Sequence, residues 1–146
     1  MNQILLASHN GSLYELKVLS EFDVADLVRV DRPEVLSSTD GAIDFWFAHN
    51  PRVAVNCGAT EMLLASTRFT AHEVPLLRGD VVVATHDAAG KLAGLNDIQI
   101  KQLLTTDPSR QETRILARRF SSDRTAQRRQ ARRDSTEASL KPIRGL

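Results

Sequence analysis

Charge is divided unevenly along this chain, and the division limits what can fold. Residues 1–106 carry eight Lys/Arg against thirteen Asp/Glu, a net of −5, while residues 107–146 carry eleven against five, a net of +6. The overall charge of +1 hides this separation. A chain of 146 residues is long enough for one hydrophobic core and too short for two. The expected organisation is therefore an acidic α+β domain over residues 1–106 and a basic helical tail over residues 107–146. Charge separation of this kind suits a polyanion partner at the basic end and some other task for the body.

The body can be read element by element. QILLASHNGSLYELKVL places β-favourable segments on either side of Asn10-Gly11, the pair best suited to the positive φ angles of a tight turn, and predicts a hairpin. Ser20 precedes EFDVADLVRV, where Phe22, Ala25 and Val28 share a helical face behind acids in the first turn. This predicts a short helix, or a helix running into a strand at residues 27–30, with Arg32-Pro33 as the stop. AIDFWFAH alternates, with Ile43, Phe45 and Phe47 on one face and Asp44 and Trp46 on the other. A strand near residues 34–37 completes a second hairpin. Asn56 is placed to cap a helix, CGATEMLLAST, that buries Met62, Leu63 and Leu64. The valine-rich run Val81 to Thr85 reads as the central strand. A loop at residues 87–91 then leads to Asn96, the cap of a helix DIQIKQLL. The result is an α+β single small domain, with a mixed, mainly antiparallel sheet built from hairpins and two to three helices.

In the tail, Asp107 as N-cap with Pro108 at the first helical position predicts a helix start. Ile115, Leu116 and Phe120 form an apolar patch able to dock on the body. Ser121-Ser122-Asp123 interrupts the pattern and predicts a second, separate helix from Asp123 onward, and the terminal KPIRGL is expected to be disordered. The candidate nucleic-acid-binding residues are Arg118, Arg119, Arg124, Arg128, Arg129, Arg132 and Arg133. Arg124, Arg128 and Arg132 recur every four residues, and Arg129 and Arg133 lie on the adjacent row. Arginine outnumbers lysine ten to one in this tail, and the planar guanidinium binds phosphate bidentately and stacks on bases where an ammonium does not. Like charges at i,i+4 repel, so the segment is expected to be only partly helical until a polyanion neutralises it. The competing expectation is a solvated amphipathic tail that packs through Leu116 and Phe120, with its arginines facing water or the acids of the body.

Other chemistry is weaker in the sequence. Cys57 at a helix start is open to acidification by the helix dipole, with His9, His49, His72 and His86 as potential bases, yet no signature places a base beside it. It is read as a small buried thiol, and no catalytic residue is assigned. His72-Glu73 and His86-Asp87 lack metal-ligand spacing, so neither a metal nor a cofactor is expected. Arg78-Gly79-Asp80 spells an adhesion tripeptide but leads straight into a strand. Trp46 is either covered by a helix or marks a binding surface or a contact with a second copy. The apolar runs are far too short to span a membrane, the N-terminus lacks the features of a signal peptide, and one cysteine permits no internal disulfide. Cytoplasmic residence without membrane contact is the expectation.

The strings VNCGATEMLLA, LLRGDVVVATHDAAGKLAGL and DFWFAHNPRVAVN resemble a family of small uncharacterised proteins of actinobacterial phages and mobile elements, with Asn56, Ala59, Thr60, Gly79 and Asp80 at the matching positions. The segment between Trp46 and Asn56 is shorter than in that family. TAQRRQARRDSTEA is similar to the arginine-rich RNA-binding peptides of phage antitermination proteins. These resemblances imply a non-enzymatic accessory protein in a bacterial host cytoplasm, binding RNA or DNA through its tail while the body docks a partner or a second copy. The alternative they leave open is a host-takeover inhibitor that binds an acidic host protein or a small signalling ligand.

Overall fold

A strand of consecutive apolar residues is stable only with a layer on each face and a strand on each side. The structure, a computed structural model describing residues 2–139, meets that condition at β5 (Val81–His86), where Val81, Val82, Val83 and Ala84 are fully buried. β1 (Asn2–Ala7) lies on one side of β5 and β4 (Asp44–Phe47) on the other, with β2 (Leu13–Val18) and β3 (Glu34–Ser37) as the two edges. The order is β2-β1-β5-β4-β3, and a short β6 (Leu92–Ala93) pairs with the end of β5. Every pairing is antiparallel.

The pleat sends alternate residues to two separate cores. α1 (Glu21–Val28) covers one face, packing with Ile4, Val18, Val82, Ala84 and Trp46. α2 (Cys57–Ser66), α3 (Asp97–Thr105) and part of α4 (Arg110–Ser139) cover the other, over Leu5, Phe45 and Val83. Trp46 thus lies under a helix, half-buried, with its indole Nε1 buried and without a hydrogen-bond partner among the described residues.

Two of the predicted caps, Asn56 and Asn96, are present, and Ser20 caps α1. Ser20 with Asp23, and Asn96 with Gln99, close capping boxes, and Asn56 accepts from the Ala59 N–H at 3.0 Å. Buried Asn56 also donates to the carbonyls of Ala7 and Gly79, at 2.9 and 2.8 Å, tying β1 and the approach to β5 to the start of α2.

Several expectations are corrected. In the first hairpin only Gly11 has a positive φ, +89°, because Asn10 uses its side-chain oxygen to accept from the Ser12 N–H. Gly11 N–H donates to the Ser8 carbonyl and Ser8 N–H to the Ser12 carbonyl, a type I turn closed by a glycine bulge. α1 ends at Arg29, whose left-handed φ of 61° lets its N–H reach back to the last turn, so no strand forms at residues 27–30. β6 is absent from the sequence reading; two residues are too few to show a period. Met62 sits at the margin of the core, whereas Leu63 and Leu64 are buried.

The basic tail is one helix of 30 residues, not two. It starts two residues later than Asp107-Pro108 implies, because Ser109 and Glu112 form the reciprocal cap. Residues 140–146, including the KPIRGL segment expected to be disordered, lie outside the described residues.

Candidate nucleic-acid interface

α4 becomes part of the folded body through one side. Leu116 is fully buried and Phe120 nearly so, both within the core under α2. Further along, Asp123 receives both arms of the Arg78 guanidinium, at 2.5 and 3.1 Å, with both side chains largely buried. Arg78 Nη1 and Gln127 Nε2 each donate to the Val53 carbonyl, at 3.1 and 3.0 Å. Asp123 is thus occupied by a residue 45 positions upstream and does not cap a new helix, which is why Ser121-Ser122-Asp123 passes through unbroken. The Arg78-Gly79-Asp80 tripeptide is absorbed the same way: Arg78 clamps α4, and Asp80 accepts from the backbone and ring nitrogens of His9, each at 2.8 Å.

At about 100° per residue, Leu116, Phe120, Asp123 and Gln127 fall within a narrow docking line. The same rotation places Arg110, Arg114, Arg118, Arg128, Arg129, Arg132 and Arg133 on the opposite half of the helix and Arg124 at its flank toward α2, and all eight are exposed. The ion pairs among the described residues include none of these eight, so the body does not neutralise them. These arginines thus face water rather than the acids of the body.

Arg119 departs from its predicted role. It is half-buried, and its Nη1 donates to the carbonyls of Ala71 and Val74 at 2.7 and 2.8 Å, so it fastens the helix to the loop before β5. Conversely, Arg110 and Arg114 were missed, although the spacing 110-114-118 is as regular as 124-128-132. From Arg128 to Ser139 every residue is exposed, three turns that project past the body. The expectation of only partial helicity is not met there. A helix already nucleated by docked turns adds residues at little cost, and Gln130 donating to Asp134 supports the projecting end.

The remaining candidates disperse. Cys57 is exposed rather than buried, since Asn56 turns inward to bond and leaves the next residue facing out. Partial desolvation of the thiol and the charge of Glu61 push its pKa up, with Arg124 offsetting in part, contrary to acidification by the helix dipole. His86 is held by Asp44 at 2.7 Å, and Asp44 also accepts from Ser37 Oγ at 2.7 Å. Burial alone would raise the Asp80 carboxyl, but the His9 backbone and ring and the Arg29 charge outweigh it and lower its pKa. Among the described residues no three His, Cys, Asp or Glu side chains gather as a metal site, and no helix is long and apolar enough to cross a membrane. No protein-family model, curated protein or solved structure matches this chain.

Proposed function

We propose that this is a binding protein that grips a double-helical nucleic acid through the outer face of α4, with Arg118, Arg124, Arg128, Arg129, Arg132 and Arg133 from the predicted set joined by Arg110 and Arg114. The observation that carries this reading is a set of eight exposed guanidiniums outside the docking line of one seated helix, none of them in an ion pair among the described residues. From Arg110 to Arg133 the set runs about 35 Å, and the five Arg–Arg contacts at i,i+4 along it are mutually repulsive until an anion lies between them. Such a surface costs stability in isolation and is relieved by a phosphate backbone, where each neutralised phosphate also releases a counterion. A duplex is favoured over a single strand because the only aromatic residue of α4, Phe120, is buried, leaving no ring on that helix for bases to stack on.

The test keeps the fold. Removing residues from 107 onward would delete Leu116 and Phe120 from the core, so the informative variant replaces Arg128, Arg129, Arg132 and Arg133 by Gln. Binding to duplex DNA, duplex RNA and single strands is measured by fluorescence anisotropy across a salt series. Affinity for duplex should fall roughly a hundredfold or more, and the slope of log affinity against log salt should flatten by about three to four. Unchanged affinity would refute the reading. Retention of a host protein from nuclease-treated lysate, lost in the same variant, would instead support the host-protein alternative.

A further inference from the structure

β2 is an open edge of the sheet whose outward side is complementary to itself, and we infer that it pairs with β2 of a second copy about a two-fold axis at Leu16. This inference is independent of what α4 binds. The other edge, β3, is four residues long and follows Pro33, features that blunt an edge. β2 has six residues, and large apolar side chains stand exposed along and beside it: Leu13, Tyr14 at 46%, Leu19 at 69% and Phe22 at 83%. Between β2 and α1 runs a groove of about 480 Å³ lined by Leu16, Val18, Leu19 and Leu27 along with Lys17, Asp23 and Asp26.

The backbone limits the register. The Gln3 carbonyl accepts from Leu95 N–H at 2.7 Å, so Gln3 points away from β2, and by alternation so do Leu5 and Ala7. Their cross-strand partners Lys17, Glu15 and Leu13 then point their own N–H and C=O groups outward, where no strand pairs with them among the described residues. An incoming antiparallel strand must match outward residues with outward residues. Centring the axis on residue 15 or on residue 17 sets Glu15 against Glu15 or Lys17 against Lys17. Centring it on Leu16 sets Glu15 against Lys17 twice, Tyr14 against Val18, and Leu13 against Leu19. Every opposed pair is then either oppositely charged or apolar, and the overlap runs from residue 13 to residue 19. Opposite charges directly across an antiparallel pair stabilise it and like charges destabilise it. Glu15 already accepts from Gln3 Nε2 through Oε2, at 2.8 Å, leaving Oε1 for the partner strand. The groups that seat α4, among them Val53, Ala71, Val74 and Arg78, are not on β2, so pairing leaves both basic helices free.

The experiment is sedimentation equilibrium of the full chain over a wide concentration range, after nuclease treatment and in enough salt to suppress association through α4. The wild type should show a reversible monomer–dimer equilibrium. Lys17→Glu should weaken the dimer roughly tenfold or more, as should Glu15→Lys, because each substitution places like charges opposite each other at two symmetry-related sites. The double swap Glu15→Lys/Lys17→Glu restores the alternation of sign and should recover most of the affinity, with circular dichroism confirming that each variant is folded. A wild type that stays monomeric at every concentration overturns the inference. So does a folded single variant that dimerises as well as wild type, or a folded double swap no better than the single variants.

Discussion

The two halves of α4 share one backbone and differ in what holds them. From Arg110 to Gln127 the helix is fixed from outside, by Leu116 and Phe120 in the core, the Arg78–Asp123 pair and the carbonyl contacts of Arg119 and Gln127. From Arg128 to Ser139 every residue is exposed and, among the described residues, no side-chain hydrogen bond or ion pair ties it to the body, so it continues from turns already formed before it. The outer arginines occur in both halves, as the series 110-114-118 and 124-128-132 with Arg129 and Arg133 beside the second. Stability and proposed binding therefore draw on opposite sides of one helix, and the contribution of each residue depends on which side and which half it occupies.

The largest expected effect breaks that comparison directly. Ala117 and Ala131 are both exposed on α4, one in each half. A proline at an interior helical position removes a backbone bond and clashes with the preceding turn, at a cost of about 3 kcal/mol or more. Ala117→Pro should impose that cost on the whole domain, comparable to the 2–5 kcal/mol expected for Leu116→Ala in the same half. Ala131→Pro should leave global stability within about 0.5 kcal/mol, because only the projecting turns fray. Urea unfolding followed by the fluorescence of the single tryptophan, Trp46, reads the body rather than the helix. A large loss in Ala131→Pro would show that the halves are coupled.

The clamp should come next in size. Asp123→Ala leaves Arg78, about one-fifth exposed, without its carboxylate and is expected to cost about 2–3 kcal/mol. Arg132→Ala, in the projecting half, should cost less than about 0.5 kcal/mol. Equal effects in thermal or urea denaturation would mean that the Arg78–Asp123 pair does not seat the helix.

How much of this was legible depended on the range of the interaction that decides each residue. Asn56 and Asn96 act within a few positions of themselves, and each caps where its spacing says it should. Val81 to Ala84 declare a central strand because burial on two faces leaves no polar position. Asp123 was misread because its local cap propensity loses to a guanidinium brought from residue 78 by the tertiary fold. Arg119 was misread for the same reason, its carbonyl partners lying at residues 71 and 74. The outer basic face was legible in kind but cut short, since dividing the tail into two helices hid the continuity of Arg110 and Arg114 with the later arginines. The self-complementarity of LYELKVL was present in the sequence, but it acquires meaning only once β2 is known to be an edge.

The smallest effect tests the electrostatics of the docked half through Cys57. The thiol pKa is raised, first by partial desolvation and then by Glu61, while Arg124 on α4 acts in the opposite direction. Glu61 is itself raised, by burial and by Asp107, so its ionised form is less favourable in the folded state than in the unfolded chain. A carboxyl shifted upward destabilises the fold as pH rises through its unfolded value and past its folded one, so at neutral pH Glu61→Gln should slightly stabilise the protein. The same substitution removes a negative charge beside the thiol, so the pH profile of Cys57 alkylation should move to lower pH. Arg124→Gln should move it to higher pH, because a favourable cation is lost. Arg132→Gln, two turns further into the projecting half, should leave it in place. A profile that follows Arg132 as closely as Arg124 would mean that the projecting turns lie back against α2, and the separation of the two halves would fail.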